Sequence, residues 1–253
     1  MSSLKKNLFL SVFGAAMSAS VAFAADLPAP PVIEYEPEAV VEIGSGWYLR
    51  GDLGVAAYAG GNGSWLPSAG SDPKFYNEKI NNGWLAGIGA GYYFTDKLRG
   101  DITLDYHGKA KYTGDAICTN VGCNALAATT ETVKFSAWTL MLNGYYDFGH
   151  WNSITPYVGA GAGVAYLRAT DYNSSDPTTQ IFGNHAKFNF AWNVMAGAAF
   201  DISDRMKLDA NYRLMSFGRA ETGHSSDPAQ TNPVKFSDLY AHEFRVGLRY
   251  DLN

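Results

Sequence analysis

The chain has 253 residues, with 19 Lys plus Arg against 24 Asp plus Glu and a formal charge of −5. Charged residues are only 17% of it and aromatics are 14%. That balance excludes a disordered polyelectrolyte, which needs the reverse, and a general nucleic-acid binder, which needs a basic surplus. Beyond the first two dozen residues no run approaches the roughly 18 apolar residues of a helical membrane span, and the length allows one sizeable domain or two small ones.

Residues 1–24 read as an export signal: Lys5 and Lys6 supply the basic start, Leu8 to Val21 an apolar stretch, and Ala22-Phe23-Ala24 a small-x-small cleavage site. Residues 25–45 hold Pro28, Pro30, Pro31 and Pro37, which forbid a regular helix or central strand. This acidic, extended segment reads either as a periplasmic spacer or as a tether that touches something outside the fold.

From residue 46 the apolar period is two. The first run, Trp47 to Tyr58, sets Trp47, Leu49, Leu53 and Val55 against Arg50 and Asp52. The second, Gly83 to Thr95, sets Trp84, Ile88, Tyr92 and Phe94 against Gly87, Gly89 and Gly91. The third, Lys97 to His107, sets Leu98, Ile102, Leu104 and Tyr106 against Arg99, Asp101, Thr103, Asp105 and His107. The fourth, Val133 to Phe148, sets Trp138, Leu140, Leu142 and Tyr146 against Thr139, Asn143 and Asp147. The fifth, Thr155 to Arg168, sets Val158, Val164 and Tyr166 against Tyr157 and three glycines. The sixth, Ala186 to Asp201, keeps Phe188, Phe190, Trp192, Val194 and Phe200 on one side. The seventh, Arg205 to Phe217, sets Met206, Leu208, Tyr212 and Leu214 against Lys207, Asp209, Asn211 and Arg213. The eighth, Leu239 to Leu252, sets Phe244, Val246, Leu248 and Tyr250 against Glu243, Arg245, Arg249 and Asp251.

Period two alone also fits a soluble sandwich. Three features favour a transmembrane barrel: strands longer than the five or so residues usual in soluble sheets, an even number of them, and aromatics gathered toward strand ends. The connections add a fourth, because they alternate in length. Long segments at 59–82, 108–132, 169–185 and 218–238 interleave with short ones at Asp96, 149–154 and 202–204. The expected architecture is all-β, an eight-stranded antiparallel up-and-down barrel over residues 46–253, with short turns and both termini periplasmic and long loops outside.

A lumen of eight strands is filled by side chains. Arg50, Arg99, Lys207, Arg213, Arg245 and Arg249 face Asp52, Asp101, Asp105, Asp209 and Glu243 across it and are expected to pair, since an unpaired buried charge is costly. The inward glycines leave room either for long side chains or for a thin polar channel. No triad spacing accompanies His107, His150, His185, His224 or His242, no metal-ligand spacing appears, and neither enzyme nor cofactor is expected. His107, His185 and His224 are the candidates for a haem site above the barrel. The glycine runs 87–91 and 159–163 lie inside strands and lack a phosphate-loop lysine. Cys118 and Cys123, alone in an exported chain, are expected to close a small disulfide ring in the second long loop.

Four segments carry a family resemblance: AADLPAP at 24–30, GWYLRGDLG at 46–54, GYYF at 91–94 and FRVGLRYDL at 244–252. They are similar to the alphaproteobacterial 25–31 kDa outer-membrane proteins, opacity-like eight-stranded barrel surface antigens, along essentially the whole chain. The resemblance implies an outer-membrane structural protein contributing to envelope integrity. It implies as partners outer-membrane lipid, lipopolysaccharide and the barrel-insertion machinery, with contact to peptidoglycan or a host surface through its ends and loops. Some relatives are haemin binders or small porins, which makes a loop receptor and a diffusion channel the alternatives. Many members end on Phe, whereas this sequence ends Tyr250-Asp251-Leu252-Asn253.

Overall fold

Each long strand needs a partner along both edges, and in lipid only a closed sheet supplies one. The computed structural model describes residues 46–64, 75–117, 128–175, 182–224 and 232–252. The signal, the spacer, Cys118 and Cys123 lie outside the described residues. The strands are β1 (Trp47–Gly60), β2 (Gly63–Ser64), β3 (Phe75–Ile80), β4 (Gly83–Tyr93), β5 (Leu98–Ile117), β6 (Ala128–Asp147), β7 (Ile154–Ser174), β8 (His185–Ser203), β9 (Met206–Glu221) and β10 (Lys235–Asp251). The eight long ones pair antiparallel in the order β1-β4-β5-β6-β7-β8-β9-β10, and β10 returns to β1 from Tyr48↔Asp251 to Gly60↔Leu239. The sheet is a closed ring. β2 adds to β10 and β3 to the far half of β5.

The apolar positions of every run point out of the ring. Leu53, Ile88, Leu142, Phe188 and Phe190 are each about two-thirds exposed or more (68, 67, 66, 70 and 68%). So much bare apolar surface fits lipid rather than water. Aromatics bound it at both ends. At the end with long connections, hereafter the loop end, Trp84, Tyr106 and Trp138 stand 5.5 and 4.8 Å apart, and Tyr166 and Phe188 4.7 Å. At the turn end Trp47–Tyr92, Tyr92–Phe94 and Tyr146–Phe148 contacts form the second belt. Trp138 and Phe148 are ten residues apart, which at ~3.4 Å per residue and ~40° tilt spans about 26 Å, the height of a barrel's apolar band.

The strands run farther than the sequence indicated, almost wholly at the loop end. β5 continues to Ile117 instead of His107, β6 starts at Ala128 instead of Val133, and β7 continues to Ser174 instead of Arg168. The expected loop 59–82 also contains β2 and β3. On β5 a bulge marks the point where the expected strand ended. From His107↔Ala137 to Ala110↔Phe135, β5 advances three residues while β6 advances two, and the faces exchange. Inward positions are odd through His107 and even from Ala110.

One wall differs from the rest. The β8–β9 ladder runs from Ser203↔Met206 to Trp192↔Ser216 and stops, although β8 stays paired with β7 to His185 and β9 with β10 to Glu221. Side chains span this seam. Asn189 Nδ2 donates to the Arg219 carbonyl at 2.9 Å, and Lys187 and His185 reach Glu221 at 3.2 and 3.5 Å. Backbone bonds resume beyond it, where Gly183 N donates to the His224 carbonyl and Gly223 N to the Gly183 carbonyl.

Candidate functional site

Alternation carries the charges of β1, β5, β9 and β10 onto one axis inside the ring. Arg50 grips Asp52 with both arms of its fork, Nε to Oδ2 at 2.8 Å and Nη2 to Oδ1 at 2.7 Å, and its Nη1 donates to Asp101 at 3.0 Å and to the Tyr145 hydroxyl at 2.9 Å. One residue pair nearer the loop end, Asp105 accepts from Arg213 at 3.0 Å and from both terminal nitrogens of Arg245 at 3.2 and 2.7 Å. These bonds cross the lumen, joining β5 to β9 and β10. Glu243 closes the layer, taking Arg213 Nε at 2.7 Å and facing His107 Nε2 at 2.8 Å. All are buried, Asp105 and Glu243 completely. Arginine suits this layer because its planar fork meets two carboxylate oxygens at once.

Toward the turn end the layer changes character. Arg99 bonds Asp147 and lies 3.9 Å from the centroid of the Tyr145 ring and 4.6 Å from that of Tyr157. Arg249 approaches Asp209 at 3.6 Å beside the rings of Tyr48 and Tyr93, and the Tyr157 hydroxyl donates to Asp209. Such cation–aromatic contacts strengthen where water is excluded. Lys207 sits apart at the mouth, pairing with Asp201 at 2.7 Å, both partly exposed. The inward glycines accommodate these groups: a Cβ on Gly87 would overlap the Asp105 carboxylate, and one on Gly91 the Tyr48 ring.

Toward the loop end the interior turns apolar. Phe217 packs edge-on to His107 at 4.8 Å. Beyond it Tyr112, Phe135 and Phe236 meet edge to face at 5.1, 4.9 and 6.2 Å, with Phe75 at 6.3 Å from Tyr112. Val133, Phe182, Val234 and Leu239 complete one buried cluster. The Tyr112 hydroxyl donates to Glu78 at 2.7 Å, and burial first, then that bond, pushes its pKa up.

The three candidate haem histidines occupy different settings. His107 is fully buried against Glu243, His185 lies on the β8–β9 seam, and His224 is exposed beyond it. Among the described residues they form no metal-holding group. The sequence list of lumen charges omitted Asp147 and the tyrosines 48, 93, 145 and 157. Parity placed Tyr48, Tyr145 and Tyr157 inward, but tyrosine in a strand also suits a girdle, and only the register separates the two uses.

A closed antiparallel ring, apolar outside between two aromatic belts and polar inside, is an outer-membrane β-barrel. The model of the outer membrane protein beta-barrel domain matches residues 10–251, and the chain belongs to that family. A Brucella abortus protein is 33% identical over 289 residues, covering 98% of this chain and 99% of its own. A putative adhesin of Rickettsia bellii is 27% identical, covering 81% and 88%. Among solved structures, Neisserial surface protein A aligns with TM-score 0.47 at 17% identity, covering 82% of this chain and 97% of its own. The outer membrane protein OprG of Pseudomonas aeruginosa aligns with TM-score 0.48 at 16% identity, covering 81% and 96%.

Proposed function

We propose that this protein is a structural, non-conducting barrel and opacity-like surface antigen, without catalysis or cofactor. Exported under residues 1–24, it keeps its termini and short turns in the periplasm. The segments around 59–82, 108–132, 169–185 and 218–238 face the outside among lipopolysaccharide. The observation that carries this reading is the buried layer in which Asp105 and Glu243 hold Arg213 and Arg245 across the lumen. Ions crossing the axis would have to break charge-assisted bonds in a medium where each is costly to lose. The aromatic cluster seals the same axis a second time. Refolded protein in planar bilayers is expected to show no steady conductance. A stable single-channel current from the intact chain would replace this reading with that of a small porin.

Contact with a host surface is the second reading. It is favoured by the Rickettsia relatives described as putative adhesins, and it uses the same exposed end.

A further inference from the structure

Just past the loop-end aromatic belt, the face that bears lipid-directed side chains lower down becomes basic. On β5 Lys109 and Lys111 point outward and are exposed, as is Arg168 on β7, and Lys134 on β6 points outward half-buried. Lys111 stands directly opposite Lys134 in the ladder, an arrangement of like charges that weakens a sheet unless something neutralises it. One carboxylate is close. Asp171 meets Lys134 at 3.1 Å and Lys109 at 3.5 Å. The hydrogen bond from Lys134, then the charge of Lys109, holds its pKa below the ordinary value. The ion pairs among the described residues give Lys111 and Arg168 no carboxylate, and Asp115, the next acid on β5, bonds to Asn77 and Thr130 instead. Four cations and two anions, Asp171 and Asp115, thus share a three-strand face of a chain whose formal charge is −5.

Height identifies what this face meets. Arg168 is two residues beyond Tyr166 and Lys134 four beyond Trp138, which places them about 5 and 10 Å above the belt. That is headgroup depth, below the tips of the hairpins. We propose that the β5–β7 face centred on Lys111 and Lys134 binds the phosphate groups of the outer leaflet's glycolipid. The belt rings Tyr106, Trp138 and Tyr166 lie beneath, where its acyl chains begin. The inference rests on the loop end facing outward, which protease access to the loops on intact cells checks separately. The binding itself can be measured without cells.

The refolded full chain in lipid nanodiscs would be offered bis-phosphorylated lipid A or the same lipid A stripped of phosphate, with retention read by native mass spectrometry. One basic residue at an anionic lipid surface is worth about fivefold. Wild type should therefore prefer the phosphorylated lipid about tenfold or more. Lys111→Glu with Lys134→Glu should abolish the preference, while Lys111→Gln with Lys134→Gln, which adds no repulsion, should reduce it. Lys97→Glu, at the turn end, should leave it intact. Equal retention of the two lipids by wild type overturns the proposal, as does an undiminished preference in the folded Gln variant. Capture of a soluble sulfated polysaccharide through these residues, with no lipid preference, overturns it as well.

Discussion

The barrel's two halves reverse each other. Between the belts the wall is apolar outside and charged within, whereas past the loop-end belt it is charged outside and aromatic within. On β5 the reversal costs one residue. Even positions stay largely apolar and odd ones polar from Ile102 to Tyr112, and the bulge between His107 and Ala110 turns that unchanged alternation over. Tyr106 meets lipid and Tyr112 meets Phe236. A strand of constant pattern therefore serves two solvents, and the switch falls where the lipid ends.

Inserting one alanine after Gly108 should break this contrast most severely. With the single-residue bulge kept, the longer strand would turn Lys109 and Lys111 inward and Tyr112 outward, and each ammonium taken from water unpaired costs several kcal/mol. Failure to give the heat-modifiable band of a folded barrel is expected, and a normally folded, equally stable insertion variant would refute the role given to the bulge. Asp105→Asn acts on the charged half alone. It deprives Arg213 and Arg245 of their shared carboxylate and should lower stability by ~3–5 kcal/mol in urea unfolding from lipid vesicles. Phe236→Ala acts on the apolar half. About 3 kcal/mol is expected, felt as faster proteolysis of the loop-end hairpins while the membrane-embedded strands stay protected.

The lipid-facing band was open to reading from sequence because each run from Trp47 to Tyr250 obeys a single period. So was the inward placement of Asp52, Asp105, Arg213 and Glu243. Two things were not. A bulge leaves no mark when the residue at it is a glycine between polar neighbours, so 108–117 read as loop. Which carboxylate takes which arginine depends on register between strands distant in the chain, such as β5 and β10, and no local pattern encodes that.

Seven of the eight long walls are woven from main-chain bonds, which any residue but proline supplies. The upper β8–β9 wall is stitched by Asn189, Lys187, His185 and Glu221 instead. Its strength is thus written in side-chain identity and weakened by salt. Ordinary point substitutions can loosen or tighten that stretch of the cylinder, an adjustment the other walls do not offer.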